Sequence, residues 1–248
     1  MKRFTPFFMA WGMFCAIPCP YPHWDSGKKP EMLLCFPLIG LLIGAVWTLA
    51  ALLLRLLGGL GLFGAALLSV LPWLLSGFIH LDGFMDCSDA ILSRRDLEER
   101  QRILKDSHVG SFAVIMLVLL AIGSFALMAE ADLSGKRLLA LLWIPMAARC
   151  PAAFGVMRLK PLKTSGYSGM DGGIRRSYGI TVLIFLLLAV GASILMTGVT
   201  GLSAVAAAVG AGFALYSGVK NLGGMSGDIS GMAVTVGEFA GLFILAFL

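Results

Sequence analysis

An all-α bundle of about seven membrane-spanning helices, with one interfacial helix at its N-terminus, is the fold this sequence predicts. Three observations predict it. Hydrophobic residues make up 58% of the chain and charged residues 13%, where a soluble domain carries about a quarter charged. Mean hydropathy is +0.91. Apolar stretches of about twenty residues recur along the chain, and the alternating pattern of outer-membrane strands is absent.

The elements follow in order. The opening MKRFTPFFMAWGMFCAIPCP has the basic start and short apolar core of a signal peptide, but no small-x-small cleavage site follows, and Pro18, Pro20 and Pro22 end it. It reads as an amphipathic helix lying in the membrane interface. Candidate spans are 32–57, 61–79, 109–130, 134–156, 177–198, 199–219 and 229–248. Short turns at Gly58–Leu60, Ala131–Leu133 and Gly198–Gly201 alternate with longer polar connections at 80–108, 157–176 and 220–228, which puts the long connections on one side. Glycines inside the spans, as in PLIGLLIG (37–44) and AVGAGFA (208–214), let helices approach closely. No linker divides the chain, so 1–248 is one membrane-embedded domain.

Charge orients it. Fifteen of the 19 Lys and Arg lie on the long-connection side, from Lys2 and Arg3 to Lys220; Arg55, Lys136 and Arg137 lie opposite, and Arg149 lies inside a span. The positive-inside rule makes the long-connection face cytoplasmic. The net charge of +5 comes without a basic block of the kind that binds nucleic acid. The five cysteines are scattered and mostly within apolar segments, as packing residues are, rather than spaced for disulfides or zinc.

The chemistry gathers on the inner face. In HLDGFMDCSDA (80–90), Asp82, Asp86 and Asp89 share an arc of about 60° on a helix advancing about 100° per residue. Like charges so close are unfavourable unless a cation neutralises them, and Mg²⁺ favours carboxylates together with water and substrate phosphates. The alternative is a solvated helix end whose acids pair with Arg94, Arg95, Arg100 and Arg102; it suits Asp96, Glu98 and Glu99 better. In RILKDSHVG (102–110), Asp106 adds a carboxylate and Lys105, Ser107 and His108 add phosphate-directed donors; helix capping by Asp106 or Ser107 competes with that reading. In NLGGMSGDISG (221–231), glycine turns with Ser226 and Asp228 at a helix start favour an anion, though both residues also cap ordinary helices. The loop 158–176 reads as an anion-binding flap or a positive-inside tether. Arg149 inside a span faces a polar cavity or an anionic partner. His80 is placed to orient a carboxylate or phosphate, whereas His23 reads as interfacial packing. P-loop, HExxH and GxSxG motifs are all absent. Together these residues point to metal-assisted phosphoryl transfer at a membrane surface.

The ordered set HLDGFMDCSDA, LKDSHVGSF and LGGMSGDISG, with prolines before FPLIGLLIG, resembles the cobalamin synthase family, the adenosylcobinamide-GDP ribazoletransferases. The resemblance runs along essentially the whole chain, with the aspartate block and the KDS segment its specific part. It departs from the family pattern at Ala90, where a glycine is expected, at His108, where an arginine is expected, and at Met225–Ser226; Glu238 matches a recurrent acid. The resemblance implies a multi-pass enzyme of the bacterial inner membrane, in contact with membrane lipid and with its active face cytoplasmic. It implies that Mg²⁺, held by Asp82, Asp86, Asp89 and Asp106, bridges the pyrophosphate of adenosylcobinamide-GDP while α-ribazole or its 5′-phosphate attacks and GMP leaves. Asp89 or Asp106 would accept the proton; Lys105, Arg149 and Arg158 would stabilise phosphate charge, and Ser226 and Asp228 would position substrate or metal. A homo-oligomer is compatible with the sequence. Two rival classes are a CDP-alcohol phosphotransferase, whose full DxxDG-x-x-AR pattern is missing, and a cation transporter, which needs carboxylates at mid-span.

Overall fold

The computed structural model describes residues 4–58, 61–163, 165–166 and 175–248. Among them it holds eleven α-helices and no strand. They are α1 (Thr5–Phe14), α2 (Lys29–Leu34), α3 (Phe36–Leu56), α4 (Gly61–Leu75), α5 (Ile79–Leu92), α6 (Leu97–Ile103), α7 (Ser111–Glu130), α8 (Ala140–Arg158), α9 (Arg176–Thr197), α10 (Leu202–Leu222) and α11 (Gly227–Phe247). Lys2, Arg3, the 59–60 part of the first turn, and residues 164 and 167–174 of the expected flap, with Asp171, lie outside the described residues.

Five helical stretches are long and apolar enough to cross a membrane, and the bent pair α4–α5 makes a sixth. One of the five runs from Arg176 to Leu222. It is two helices: Gly198 takes φ +67°, and a Cβ on Gly201 would meet the backbone of Ile194 at 2.5 Å. Residues seven apart stand roughly 10 Å apart along a helix, so this contact requires the chain to reverse. The hairpin matches the division expected between 177–198 and 199–219.

Three expectations are corrected. The span drawn at 32–57 is broken at Cys35, because Pro37 has no N–H to give and sits in the first turn of a new helix, where that loss is harmless. The span drawn at 61–79 ends at Leu75. Gly77 and Phe78 then take left-handed φ values of +61° and +62°, and α5 leaves at 90° to α4. The connection drawn at 80–108 is therefore mostly helical. The N-terminal helix packs one face on the bundle: Met9, Ala10 and Phe14 are buried, and the Phe14 ring sits 4.5 Å from that of Phe36.

Small residues set the helix spacing. A Cβ on Gly40 would meet the Pro145 carbonyl oxygen at 2.5 Å, and one on Gly44 would overlap the carbonyl of Leu142, so α3 and α8 cross backbone to backbone. Trp47, fully buried, donates its indole N–H to the Leu68 carbonyl at 2.8 Å and ties α3 to α4. All five cysteines are free, as their spacing predicts.

The long connections converge at one end of the bundle. On α6, Arg100 donates to the Asn221 side chain at 3.2 Å and Gln101 to the Leu222 carbonyl at 2.8 Å, satisfying the last carbonyls of α10. The Leu162 N–H donates to the Met225 carbonyl, and the Met225 N–H to the Lys160 carbonyl, each at 2.8 Å. Replacing Gly44 with valine forces α3 away from the Leu142 backbone. The expected cost is about 1–3 kcal/mol, seen as a lower thermal midpoint in detergent.

Candidate active site

The position of α5 follows from two glycines. A Cβ on Gly83 would meet the Asp228 carbonyl oxygen at 2.7 Å, and one on Gly231 the His80 carbonyl oxygen at 3.0 Å. Helix α5 thus lies directly on the first turns of α11, and the Thr235 hydroxyl donates to the His80 carbonyl at 3.1 Å. Leu81, Phe84, Cys87 and Ala90 face the core. The opposite face presents Asp82, exposed, with Asp86 and Asp89 half-buried.

These three carboxylates line one pocket of about 30 Å³ with Asp106, His108 and Gly110, a space for an ion or a water or two. Gly110 precedes α7 as its N-cap, and a Cβ there would overlap the Asp89 carboxylate. Glycine at this position therefore lets Asp89 reach the positive end of the α7 dipole. Asp106 accepts the His108 backbone N–H at 3.0 Å and contacts its ring nitrogen at 2.6 Å. Those two hydrogen bonds, the backbone one first, hold the Asp106 carboxyl below the usual range. Neither Asp106 nor Ser107 caps α7.

Among the described residues, none of Asp82, Asp86, Asp89 or Asp228 forms an ion pair. The arginines serve other acids: Arg102 pairs with Glu99 at 2.6 Å, while Asp96 caps α6 by accepting the Glu99 N–H at 2.9 Å. Asp86 lies on α5, the second arm of the bent pair, with Asp82 and Asp89 beside it in the pocket. Like charges crowded in this way fit a divalent cation. No three His, Cys, Asp or Glu side chains converge at metal-ligand spacing among the described residues. Mg²⁺ commonly takes one or two carboxylates and leaves its other positions to water and phosphate, so this pocket would supply only part of its coordination.

Ser226 caps α11, accepting the Ile229 N–H at 3.3 Å and contacting Asp228 at 3.2 Å. Ser226, Asp228 and Lys105 line a second, larger cleft with Trp24 and Lys29. Sequence reading gave Lys29 only a topological role and passed over Trp24; their position beside Pro30 and in the PYPHWD segment carried no periodicity that would mark a site.

Four predicted residues stand elsewhere. His80 precedes Asp82 by two residues, about 200° around the helix, so it faces inward. Its ring is buried 5.4 Å from that of Phe36 and 6.1 Å from that of Phe14, away from the carboxylates. Arg149, fully buried, pairs with Glu238 at 2.6 Å and also donates to the Pro145 carbonyl at 3.0 Å. Its anionic partner is thus internal. Arg158 donates to the Arg176 carbonyl at 2.6 Å and borders an apolar groove between α8 and α9, lining neither the carboxylate pocket nor the cleft beside it. Ser107 is exposed and lines neither space.

Fold and site together define an all-α polytopic membrane protein with a carboxylate-lined pocket where its long connections meet. The family described as cobalamin-5-phosphate synthase matches residues 6–246, and the chain belongs to it. Curated relatives named adenosylcobinamide-GDP ribazoletransferase include one from Clostridium botulinum strain Alaska E43, 35% identical over 97% of this chain and 96% of its own. Another, from Clostridium perfringens strain 13, is 37% identical over 96% of this chain and 95% of its own. One from Escherichia coli O127:H6 is 32% identical over 96% of this chain and 98% of its own. No solved structure matches the chain.

One measurement follows from this geometry. Glu238→Ala strands the buried Arg149 guanidinium and should cost about 3–5 kcal/mol in thermal unfolding, most of it recovered in the Arg149→Met/Glu238→Leu double variant.

Proposed function

We propose that this protein joins adenosylcobinamide-GDP to α-ribazole, or its 5′-phosphate, with release of GMP, in the last assembly stage of cobalamin synthesis. It does so with Mg²⁺ at the cytoplasmic face of a bacterial inner membrane. One observation carries the reading: Asp82, Asp86, Asp89 and Asp106 line one pocket, none of them in an ion pair with arginine or lysine among the described residues, in a chain of this family. The relatives' names support the substrates. The excess of Lys and Arg at the end where the long connections meet supports the cytoplasmic assignment.

When bound, Mg²⁺ would neutralise the pyrophosphate and stabilise charge developing on its bridging oxygen. Asp82, Asp86, Asp89 and Asp106 are the residues that would hold it. The chain's own part is to position the reactants and move a proton. The ribose 3′-hydroxyl of the ribazole forms a bond to the cobinamide-side phosphorus as the P–O bond to GMP breaks. The hydroxyl proton passes to a carboxylate, Asp89 or Asp106. Lys105, which lines the larger cleft with Ser226 and Asp228, stabilises phosphate charge. Arg149 and Glu238, the two mid-span charges, neutralise each other, which argues for an enzyme over a cation path.

GMP should appear only when purified protein receives both substrates and Mg²⁺ together; CMP released from CDP-diacylglycerol instead would replace this reading with the lipid one. Asp82→Ala and Asp89→Ala should each lower turnover roughly 100- to 1,000-fold or more while folded protein still accumulates in the membrane. Near-normal rates in both would remove these carboxylates from the chemistry.

A further inference from the structure

The apolar groove that Arg158 borders encloses about 710 Å³ among α8, α9 and α10. Phe154 lines it from α8, Ile180 and Leu183 from α9, and Leu215 from α10. Phe154, Ile180 and Leu183 are exposed, so the groove opens sideways out of the bundle. Its wall is vacant at Gly212, where a Cβ would meet nothing within 4 Å. The two charged residues stand at one end, because Arg158 ends α8 and Arg176 begins α9. From Arg176 to Leu186 the groove follows α9 for about 15 Å. That is half of a hydrocarbon core about 30 Å thick, the depth of one leaflet.

The basic end is held in place. A Cβ on Gly179 would meet Nε and Nη2 of Arg158 at 3.1 Å and the Phe154 ring at 3.4 Å, so both side chains lie against α9. Nη2 of Arg158 donates to the Arg175 and Arg176 carbonyls at 3.3 and 2.6 Å, which fixes the guanidinium at the rim. Among the described residues neither Arg158 nor Arg176 has an acidic partner.

We propose that this groove binds an anionic phospholipid of the leaflet at the end where the long connections meet. One acyl chain lies along Leu183 and Leu215, and the headgroup phosphate meets Arg158 and Arg176. A zwitterionic lipid offers the same chain, but its own ammonium offsets its phosphate, so the arginine pair selects net negative charge. A second copy of this chain fits less well, because a twofold axis here would set the same arginines against each other. The assignment uses neither the carboxylate pocket nor the larger cleft and stands apart from the transferase reading.

Native mass spectrometry of the full chain tests it, with protein delipidated in detergent and titrated with dioleoyl phosphatidylglycerol or dioleoyl phosphatidylcholine. The wild-type protein should bind phosphatidylglycerol more tightly. Arg158→Gln and Arg176→Gln should each lower that preference about fivefold and leave phosphatidylcholine binding unchanged, as the loss of one surface charge implies. Gly212→Leu fills the vacant wall and should weaken both lipids together. Arg176 is exposed and contributes only its carbonyl to the bonds above, so its variant keeps the test open should Gly212→Leu fail to fold. Equal binding of the two lipids by the wild type, or a preference that survives both arginine variants, overturns the proposal. A dimer that forms without lipid and is broken by Gly212→Leu also overturns it, giving the groove to a second copy.

Discussion

The close crossing of α5 over the start of α11 is the contact on which the inner face depends. Gly83 rests on the Asp228 backbone, and Gly231 rests on that of His80. Any side chain at either glycine would part the helices and carry Asp82 and Asp86 away from Asp228. Because the approach is backbone to backbone, α5 is placed with little freedom to rock, and the order of its side chains becomes an order of positions in space. The left-handed pair Gly77–Phe78 makes the crossing reachable by turning the chain out of α4. Docking of α6 on the end of α10, and the pairing of Leu162 with Met225, then bring the remaining connections to the same place.

The molecule treats its two groups of charge in opposite ways. Arg149 and Glu238, deep in the bundle, pair with one another, which offsets part of the cost of withdrawing both charges from water. Among the described residues Asp82, Asp86 and Asp89 form no ion pair, although arginines are close in sequence; Arg102 serves Glu99 and Arg100 the end of α10 instead. The interior charges are thus paired, while a crowded carboxylate set lies open at the end of the bundle.

Much of the candidate site was legible because helical periodicity is local. Asp82, Asp86 and Asp89 recur at three- and four-residue intervals, and any helix through them puts them on one face. The same periodicity, applied two residues back, turns His80 inward, a consequence easily missed when a motif is read as a string. Arg149 was legible as a charge needing a partner; that the partner is Glu238 depends on α8 lying beside α11, which spacing along the chain does not encode. Lys29 and Trp24 came to the second cleft from a segment with no periodic pattern to mark it.

The sequence by itself determined the membrane class and the approximate places of the apolar segments, because both rest on hydropathy summed over short windows. Only the tertiary structure decided that the 80–108 connection is two docked helices, that Asp89 meets the start of α7 at Gly110, and which arginines are spoken for. Those outcomes turn on where glycine permits backbones to touch, and such a contact joins residues far apart in the chain, where no local pattern reaches.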